Sequence, residues 1–141
     1  MKNVSALKPD HLLLTLAALC FVGGASLGMY MGVTHDFQYA PVHAHANLVG
    51  WTSLALFGIV YKLYPELASR KLARAQVACA AFSAPLFPVV LYLAIFQQWP
   101  WGLAIVAPLF LLSVFLFAAL MLRLSFGDIR AQAPAPKRQP A

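Results

Sequence analysis

Charged side chains are scarce in this chain. They make up only 10% of its 141 residues, whereas hydrophobic residues make up 62%. About a quarter of the residues in a soluble domain are usually charged, so the composition lies far outside the range of an ordinary soluble protein. The length suits one domain. Together these numbers indicate a single domain embedded in a membrane.

The chain also lacks the side-chain sets of hydrolytic enzymes. No two carboxylates are paired, and Ser53 and Ser113 have no adjacent base. No strand is expected, and no phosphate-binding glycine loop follows one. A hydrolytic activity is therefore not expected, while an association with redox enzymes stays open. The four acidic residues are scattered at the ends of apolar runs: Asp10, Asp36, Glu66 and Asp128.

Cysteine is nearly absent as well. Cys20 and Cys79 are the only two, and both lie inside apolar runs. This placement argues against an extracellular disulfide framework. We expect both thiols to pack as small apolar side chains.

What the chain has in abundance is long apolar runs. Crossing the hydrocarbon layer takes a helix of about 20 residues, and four runs qualify, at about 11–33, 42–64, 72–96 and 102–122. The first run is long for a signal peptide and no A-x-A site ends it, so we expect it to remain as a span. The prediction is an all-α integral membrane four-helix bundle within residues 1–130. Residues 131–141, rich in Pro and Ala, are predicted to form a disordered cytoplasmic tail.

Lysine and arginine are missing from the first and third connections between these runs. All ten fall before the first run, around the second connection or after the fourth run. The positive-inside rule then places both termini in the cytoplasm. Membrane orientation explains the basic charge better than nucleic acid does, and no nucleic-acid partner is expected. Trp99 and Trp101 would mark the outer interface, where aromatic side chains settle.

The first run carries small residues at every fourth position, namely Cys20, Gly24, Gly28 and Gly32. This spacing keeps them on one helix face and lets another helix backbone approach closely. Two outcomes stay open. The face packs against the second span of the same chain, or Gly24, Gly28 and Gly32 form the seam of a homo-oligomer.

The third run contains Pro85 and Pro88. Proline removes a backbone donor and distorts a helix, so we expect a kink in this span. Since the freed carbonyls need partners, the kink is either purely structural or opens a cavity.

The most unusual stretch is P-V-H-A-H-A-N-L-V-G-W, residues 41–51. With the predicted orientation, His35, His43 and His45 all lie near the outer face, where polar groups are costly unless they have partners. Residues two apart on a helix point about 200° from one another. Hence His43 and His45 cannot bind one ion together from a regular helix.

A histidine over a glycine-lined groove suits a b-type haem. Neutral imidazole binds the iron axially, and its other ring nitrogen finds a partner of its own. Candidate residues for this site are His43, His45, Asn47, Gly50 and Trp51. Asn47 is either such a partner or a helix–helix hydrogen bond, and Gly50 makes room for a flat group or for a close helix. Trp51 would supply apolar contact to the macrocycle.

A copper or zinc site is the metal alternative. Imidazole suits both metals, and the ligands would be His35, His43 and His45, with Asp36 as an oxygen donor, if residues 41–45 are irregular. A further alternative assigns these histidines no cofactor, only water or loop carbonyls as partners.

The run A-P-V-H-A-H-A-N-L-V-G-W-T-S-L-A-L-F-G-I-V-Y-K-L-Y-P resembles the second transmembrane helix of haem–copper oxidase subunit I and its nitric oxide reductase relatives. The resemblance covers residues 11–65. It implies that His43 or His45 is an axial ligand of a low-spin haem, with His45 preferred because it lies one step deeper. The chain departs from this superfamily in having no histidine after His45. A binuclear oxygen-reducing centre is therefore not expected in the lone chain.

Three functions follow, in order of preference. The first is haem b binding for electron transfer or for sensing a diatomic ligand, with the possibility that two chains each supply one histidine. The second is a cofactor-free accessory or assembly subunit of a respiratory complex. The third is copper or zinc handling at the outer face. The expected location is the inner (plasma) membrane of a bacterium.

Overall fold

A computed structural model describes residues 8–132, and their side chains as far as residue 126. Within that part of the chain all regular structure is helical and no strand occurs. The second spanning helix, Ala40–Leu63, is built from α2, a π-helical segment and α3. The elements are α1 (Pro9–Thr34), α2 (Ala40–His45), the π-helical segment (Ala46–Ser53), α3 (Leu54–Leu63), α4 (Pro65–Ala68), α5 (Lys71–Phe96) and α6 (Trp101–Gln132).

The predicted all-helical architecture is confirmed. Four helices are long and apolar enough to cross a membrane: Pro9–Thr34, Ala40–Leu63, Lys71–Phe96 and Trp101–Phe126. Large apolar side chains are exposed along all four, among them Leu19, Leu56, Val89 and Phe115. A soluble monomer rarely exposes so much apolar surface. The four apolar helices and their exposed side chains indicate an integral membrane protein that lies in a lipid bilayer.

The last helix extends beyond the predicted span. The apolar run suggested an end near Leu122, but α6 continues to Gln132. No proline occurs after Pro108 until Pro134, so nothing in between removes a backbone donor. The beginning of the predicted tail is therefore helical, and the rest of it, residues 133–141, lies outside the described part of the chain.

The helices alternate in direction. Near one end, His43 of the second spanning helix lies against Gly28 of α1, and near the other end Gly58 lies against Leu14. We call the first the histidine end; it holds the connections 35–39 and 97–100. The opposite end, with Lys8 and the connection at 64–70, is the cation end. Which end faces the cytoplasm stays a prediction.

Prolines mark the beginnings of helices and also lie within them. Pro9, Pro41 and Pro65 occupy the first turns of α1, α2 and α4, where a missing N–H leaves no bond unmade. In contrast, α5 continues through Pro85 and Pro88 as one helix. The predicted kink at these two positions stays a prediction.

The core lies in the half of the bundle towards the cation end. Alanines such as Ala73 and Ala80 are fully buried there, and their small size lets neighbouring helices approach closely. The rings of Phe57 and Phe117, 4.4 Å apart, join the second spanning helix to α6. Buried members of this core are Leu13, Ala17, Leu54, Phe57, Tyr61, Leu67, Ala73, Val77, Ala80, Ala84 and Leu120.

One polar pair is enclosed in this core. The Tyr61 hydroxyl donates to Oε1 of Gln76 at 2.8 Å, and both side chains are buried. The side-chain nitrogen of Gln76 has no hydrogen-bond partner in the described residues. A polar group buried among spanning helices can form hydrogen bonds only with protein groups or with a trapped water. The Tyr61–Gln76 hydrogen bond therefore joins the second spanning helix to α5 at these two positions.

We expect the Tyr61→Phe variant to be less stable by about 1 kcal/mol, because it leaves the Gln76 amide with no partner at all. The double variant Tyr61→Phe/Gln76→Leu should recover most of that loss, since neither polar group remains. Reversible unfolding in mixed detergent, followed by circular dichroism, measures both. Equal stability of Tyr61→Phe and the parent protein would contradict the assignment.

Candidate functional site at the histidine end

The His43 side chain lies between the second spanning helix and α1. Its Nδ1 is 2.9 Å from the backbone oxygen of Gly24. A Cβ atom on Gly28 would lie 2.6 Å from Cε1 of His43, closer than van der Waals contact allows. The absence of a side chain at Gly28 is therefore what admits the imidazole to the helix–helix contact.

Asn47 occupies the next position along the same contact. Its side-chain nitrogen donates to the backbone oxygen of His43 at 2.9 Å, one helical turn earlier. A Cβ atom on Gly24 would lie 2.6 Å from that nitrogen and 2.8 Å from Oδ1 of Asn47. Gly24 and Gly28 thus provide adjacent spaces on α1 for one amide and one imidazole.

These contacts determine which nitrogen of His43 carries the proton. The Gly24 carbonyl can only accept a hydrogen bond, so Nδ1 is the donor and Nε2 keeps its lone pair. The Asn47 amide nitrogen lies 3.4 Å from Nδ1 of His43. Both nitrogens are donors when Nδ1 carries the proton, so this contact is not a hydrogen bond. In the neutral ring, Nε2 of His43 remains available as a ligand atom.

His45 makes a similar contact within its own helix. Its Nδ1 is 2.8 Å from the backbone oxygen of Pro41, which again can only accept, so in the neutral ring Nδ1 donates and Nε2 keeps its lone pair. The ring stacks on Phe87 of α5, with centroids 5.1 Å apart and planes 4° apart. Phe87 in turn meets Phe110 of α6 edge to face.

The two imidazoles point to different neighbours, as the 200° separation predicts. His43 packs on α1 and His45 on α5. His35 ends α1 in a left-handed conformation with φ 53° and is exposed. The carboxylate oxygens of Asp36 accept from the backbone and side-chain nitrogens of Gln38. Across residues 8–126, whose side chains the structure describes, no three or more His, Cys, Asp or Glu side chains form a group that could hold one metal ion.

The π-helical segment Ala46–Ser53 begins directly after His45. Such wider turns are rare and occur frequently at functional sites. Nothing in its residue types distinguishes it from an α-helix, and the apolar run predicts only that a spanning helix covers about 42–64. It carries three predicted site residues: Asn47, Gly50 and Trp51.

Gly50 faces α1, and Trp51 lies at the surface of the bundle. A Cβ atom on Gly50 would lie 2.9 Å from both Cβ and Sγ of Cys20, so the glycine accommodates a close helix. The Trp51 side chain is exposed and packs on Phe21, with ring centroids 4.3 Å apart. Of the five residues predicted to hold haem, four contact α1 and one contacts α5. His43, Asn47 and Gly50 pack against α1 in one seam, Trp51 contacts it through Phe21 at the surface, and His45 packs on α5.

Intrachain packing accounts for most of the glycine face of α1. Gly24, Gly28 and the Cys20 side chain all face the second spanning helix, which is the first of the two predicted outcomes. Only Gly32 of the predicted oligomer seam has open space, with no described atom within 4 Å of a Cβ built on it. A homo-oligomer contact through this face stays a prediction and would be limited to that end of α1.

An apolar groove of about 680 Å³ lies beside the histidines. Its walls are α1 from Leu16 to Tyr30 and α5 from Pro85 to Tyr92, and its floor is Val42 and Ala46. Neither His43 nor His45 lines it. Pro85 and Pro88 of the third span line this groove. A cavity at these two prolines is one of the two outcomes that the sequence predicts.

Comparisons with protein-family models, with curated protein sequences and with solved structures found no match. The resemblance to the second helix of haem–copper oxidase subunit I therefore stays a prediction that depends on the motif residues.

We expect Gly24→Ala and Gly28→Ala each to destabilise the protein by about 1–3 kcal/mol, because the added methyl group would displace Asn47 or His43. Gly32→Ala is the matched control: it adds the same methyl group on the same helix in open space and should leave stability unchanged or slightly raised. Unfolding in mixed detergent measures the three variants. If all three behave alike, close packing of the two helices is not what the glycines provide.

Proposed function

We propose that the chain is a haem-binding membrane subunit that holds a b-type haem through Nε2 of an imidazole at the histidine end. One observation carries the proposal: Nδ1 of both His43 and His45 is bonded to a backbone carbonyl oxygen. Iron-binding histidines use this arrangement, in which the second nitrogen is held by an acceptor and the first keeps its lone pair.

His45 is the preferred ligand. Its hydrogen bond to Pro41 is exposed, whereas the bond between His43 and Gly24 is partly buried against α1. One face of the His45 ring rests on Phe87, which limits its rotation. His43 is then a positioning residue that joins α1 to the helix carrying the ligand.

The donor chemistry fits haem, but the described part of the chain provides only part of a porphyrin site. The groove between α1 and α5 is lined by neither imidazole, and the two rings lie on opposite sides of its floor. The proposal therefore includes a partner that covers the porphyrin, either a second copy of this chain or a subunit of a respiratory complex. Bound haem would supply one-electron transfer, or an open iron position for a diatomic ligand.

The proposal also includes an orientation. The connection 64–70 and its flanks carry Lys62, Arg70, Lys71 and Arg74, whereas connections 35–39 and 97–100 contain no Lys or Arg. This asymmetry supports a cytoplasmic cation end and an outer histidine end. The haem ligand would then lie near the outer face of a plasma membrane, and a bacterial inner membrane is the proposed location.

A cofactor-free accessory subunit is the second candidate, and a specific observation favours it. The polar groups of the motif already have partners within the chain: His43 with Gly24, Asn47 with His43, and His45 with Pro41. The first of these bonds docks α1 on the second spanning helix, and the other two lie within the second spanning helix, so none of them requires a cofactor. The copper or zinc alternative has less support, because the side chains described, those of residues 8–126, provide no three-ligand group for it.

Haem binding is tested by the visible spectrum of the detergent-purified protein and by a pyridine haemochrome assay. We expect a Soret band that His45→Ala abolishes or shifts, because the axial ligand is lost. His43→Ala should weaken haem retention less. His11→Ala, a substitution at an exposed histidine near the cation end, is the control and should leave the spectrum unchanged.

Two results would contradict the proposal. One is a purified, folded protein that carries no haem and binds none on titration with haemin, which would favour the accessory function. The other is a Soret band that neither His45→Ala nor His43→Ala alters, which would place the ligand elsewhere.

The orientation is tested with alkaline phosphatase, which is active only outside the cytoplasm. We expect activity from a fusion after Gln98, because connection 97–100 lacks cations. A fusion after Ser69 should be inactive, because connection 64–70 and its flanks are rich in cations. Green fluorescent protein fused at the same two positions should give the reverse pattern. Activity at Ser69 would overturn the proposed orientation.

A further inference from the structure

The groove between α1 and α5 plays no part in the proposed haem site, because neither His43 nor His45 lines it. It extends along α1 from Leu16 to Tyr30, a length of about 20 Å at a rise of about 1.5 Å per residue. Its walls and floor are apolar for most of that length and lie within the spanning helices. An occupant would therefore enter from the lipid and would be an elongated apolar molecule.

The groove ends in an aromatic cluster at the histidine end. The rings of Tyr39 and Tyr92 are stacked, with centroids 6.4 Å apart and planes 24° apart. Tyr30 lies 6.1 Å from Tyr39 on the α1 side, and Phe96 lies 5.1 Å from both Tyr39 and Tyr92. Such a cluster accommodates a flat ring by stacking.

The same cluster offers hydrogen-bond donors. Tyr30, Tyr39 and Tyr92 all line the groove. Among the side chains and backbone of residues 8–126, none of their hydroxyls has a hydrogen-bond partner. Partial burial, with the neighbouring Tyr30, Asp36 and Tyr92, raises the pKa of Tyr39. Its hydroxyl thus stays protonated at neutral pH and remains able to donate.

The charged residues near the histidine end indicate which head group a molecule in the groove would have. The connections 35–39 and 97–100 carry no lysine or arginine, and Asp36 is the only charged residue in them when histidine is neutral. A phosphate head group would have no cation to pair with there. A neutral head group whose oxygens accept hydrogen bonds from phenols fits instead.

We propose that this groove binds a lipid-soluble quinone, with its ring and carbonyl oxygens among Tyr30, Tyr39 and Tyr92 and its isoprenoid tail along α1 and α5. The stacked rings match the flat head, the phenols match its carbonyls, and the apolar walls match the tail. Binding alone is proposed, and it does not depend on the presence of haem.

One glycine allows the groove to be filled without disturbing the fold. Gly23 lines the groove, and a Cβ atom built on it meets no described atom within 4 Å. Gly23→Leu therefore places a side chain in the groove itself. Gly32→Leu makes the same change on the same helix, also in open space but outside the groove, and serves as the matched control.

The probe is a benzoquinone with a saturated tail of about ten carbons, titrated into the full chain in lipid nanodiscs and followed by quenching of tryptophan fluorescence. We expect Gly23→Leu to weaken binding by at least about tenfold and Gly32→Leu to leave it within about twofold. Melting curves by circular dichroism confirm that both variants fold. Equal binding by the two variants, or no saturable quenching in the parent protein, would overturn the proposal.

A second pair of measurements tests the head group. Tyr39→Phe and Tyr92→Phe keep the stacked rings and remove one donor each, so each should weaken quinone binding by roughly three- to tenfold. Unchanged binding in both variants would overturn the placement of the ring. Native mass spectrometry identifies what the purified protein carries. A phospholipid that Gly23→Leu removes and the quinone does not displace would also overturn the proposal.

Discussion

The contact between α1 and the second spanning helix depends on one constraint: polar groups inside a bilayer must find partners within the protein. Gly24 and Gly28 leave space on α1, and His43 and Asn47 occupy that space. The imidazole then reaches the backbone oxygen of Gly24 at 2.9 Å. At these two positions small and polar residues are complementary, because each glycine leaves the space that a polar side chain occupies.

The position of the second spanning helix between α1 and α5 organises the rest of the histidine end. His43 is turned to α1 and His45 to α5, and Val42 and Ala46 form the apolar strip between them. The divergence that prevents the two imidazoles from sharing one ion therefore also leaves an apolar floor for the groove. The separation of the two imidazoles and the apolar floor of the groove thus follow from a single helical geometry.

The two ends of the bundle are stabilised in different ways. At the cation end, alanines bring the helices together around a dense core that encloses the Tyr61–Gln76 pair. Towards the histidine end, α1 and α5 instead form the walls of a groove lined by Pro85 and Pro88. The buried core therefore lies at one end of the bundle and the open groove towards the other.

The sequence by itself determined the helical class, the number of spans and the divergence of His43 and His45. These follow from the length of the apolar runs and from the period of a helix, which are local properties. It also indicated that glycines spaced by four would form a contact face. It gave two outcomes for that face without choosing between them, because spacing alone does not identify the neighbouring helix.

Only the tertiary structure decided which surfaces meet. It assigned Gly24 and Gly28 to the second spanning helix of the same chain, Gly50 to Cys20, and Trp51 to the exposed surface beside Phe21. The π-helical segment Ala46–Ser53 and the tyrosine-lined end of the groove also emerged only there. The physical reason is that a groove and a helix–helix contact are made by residues far apart in the chain, and no local pattern encodes the distance between them.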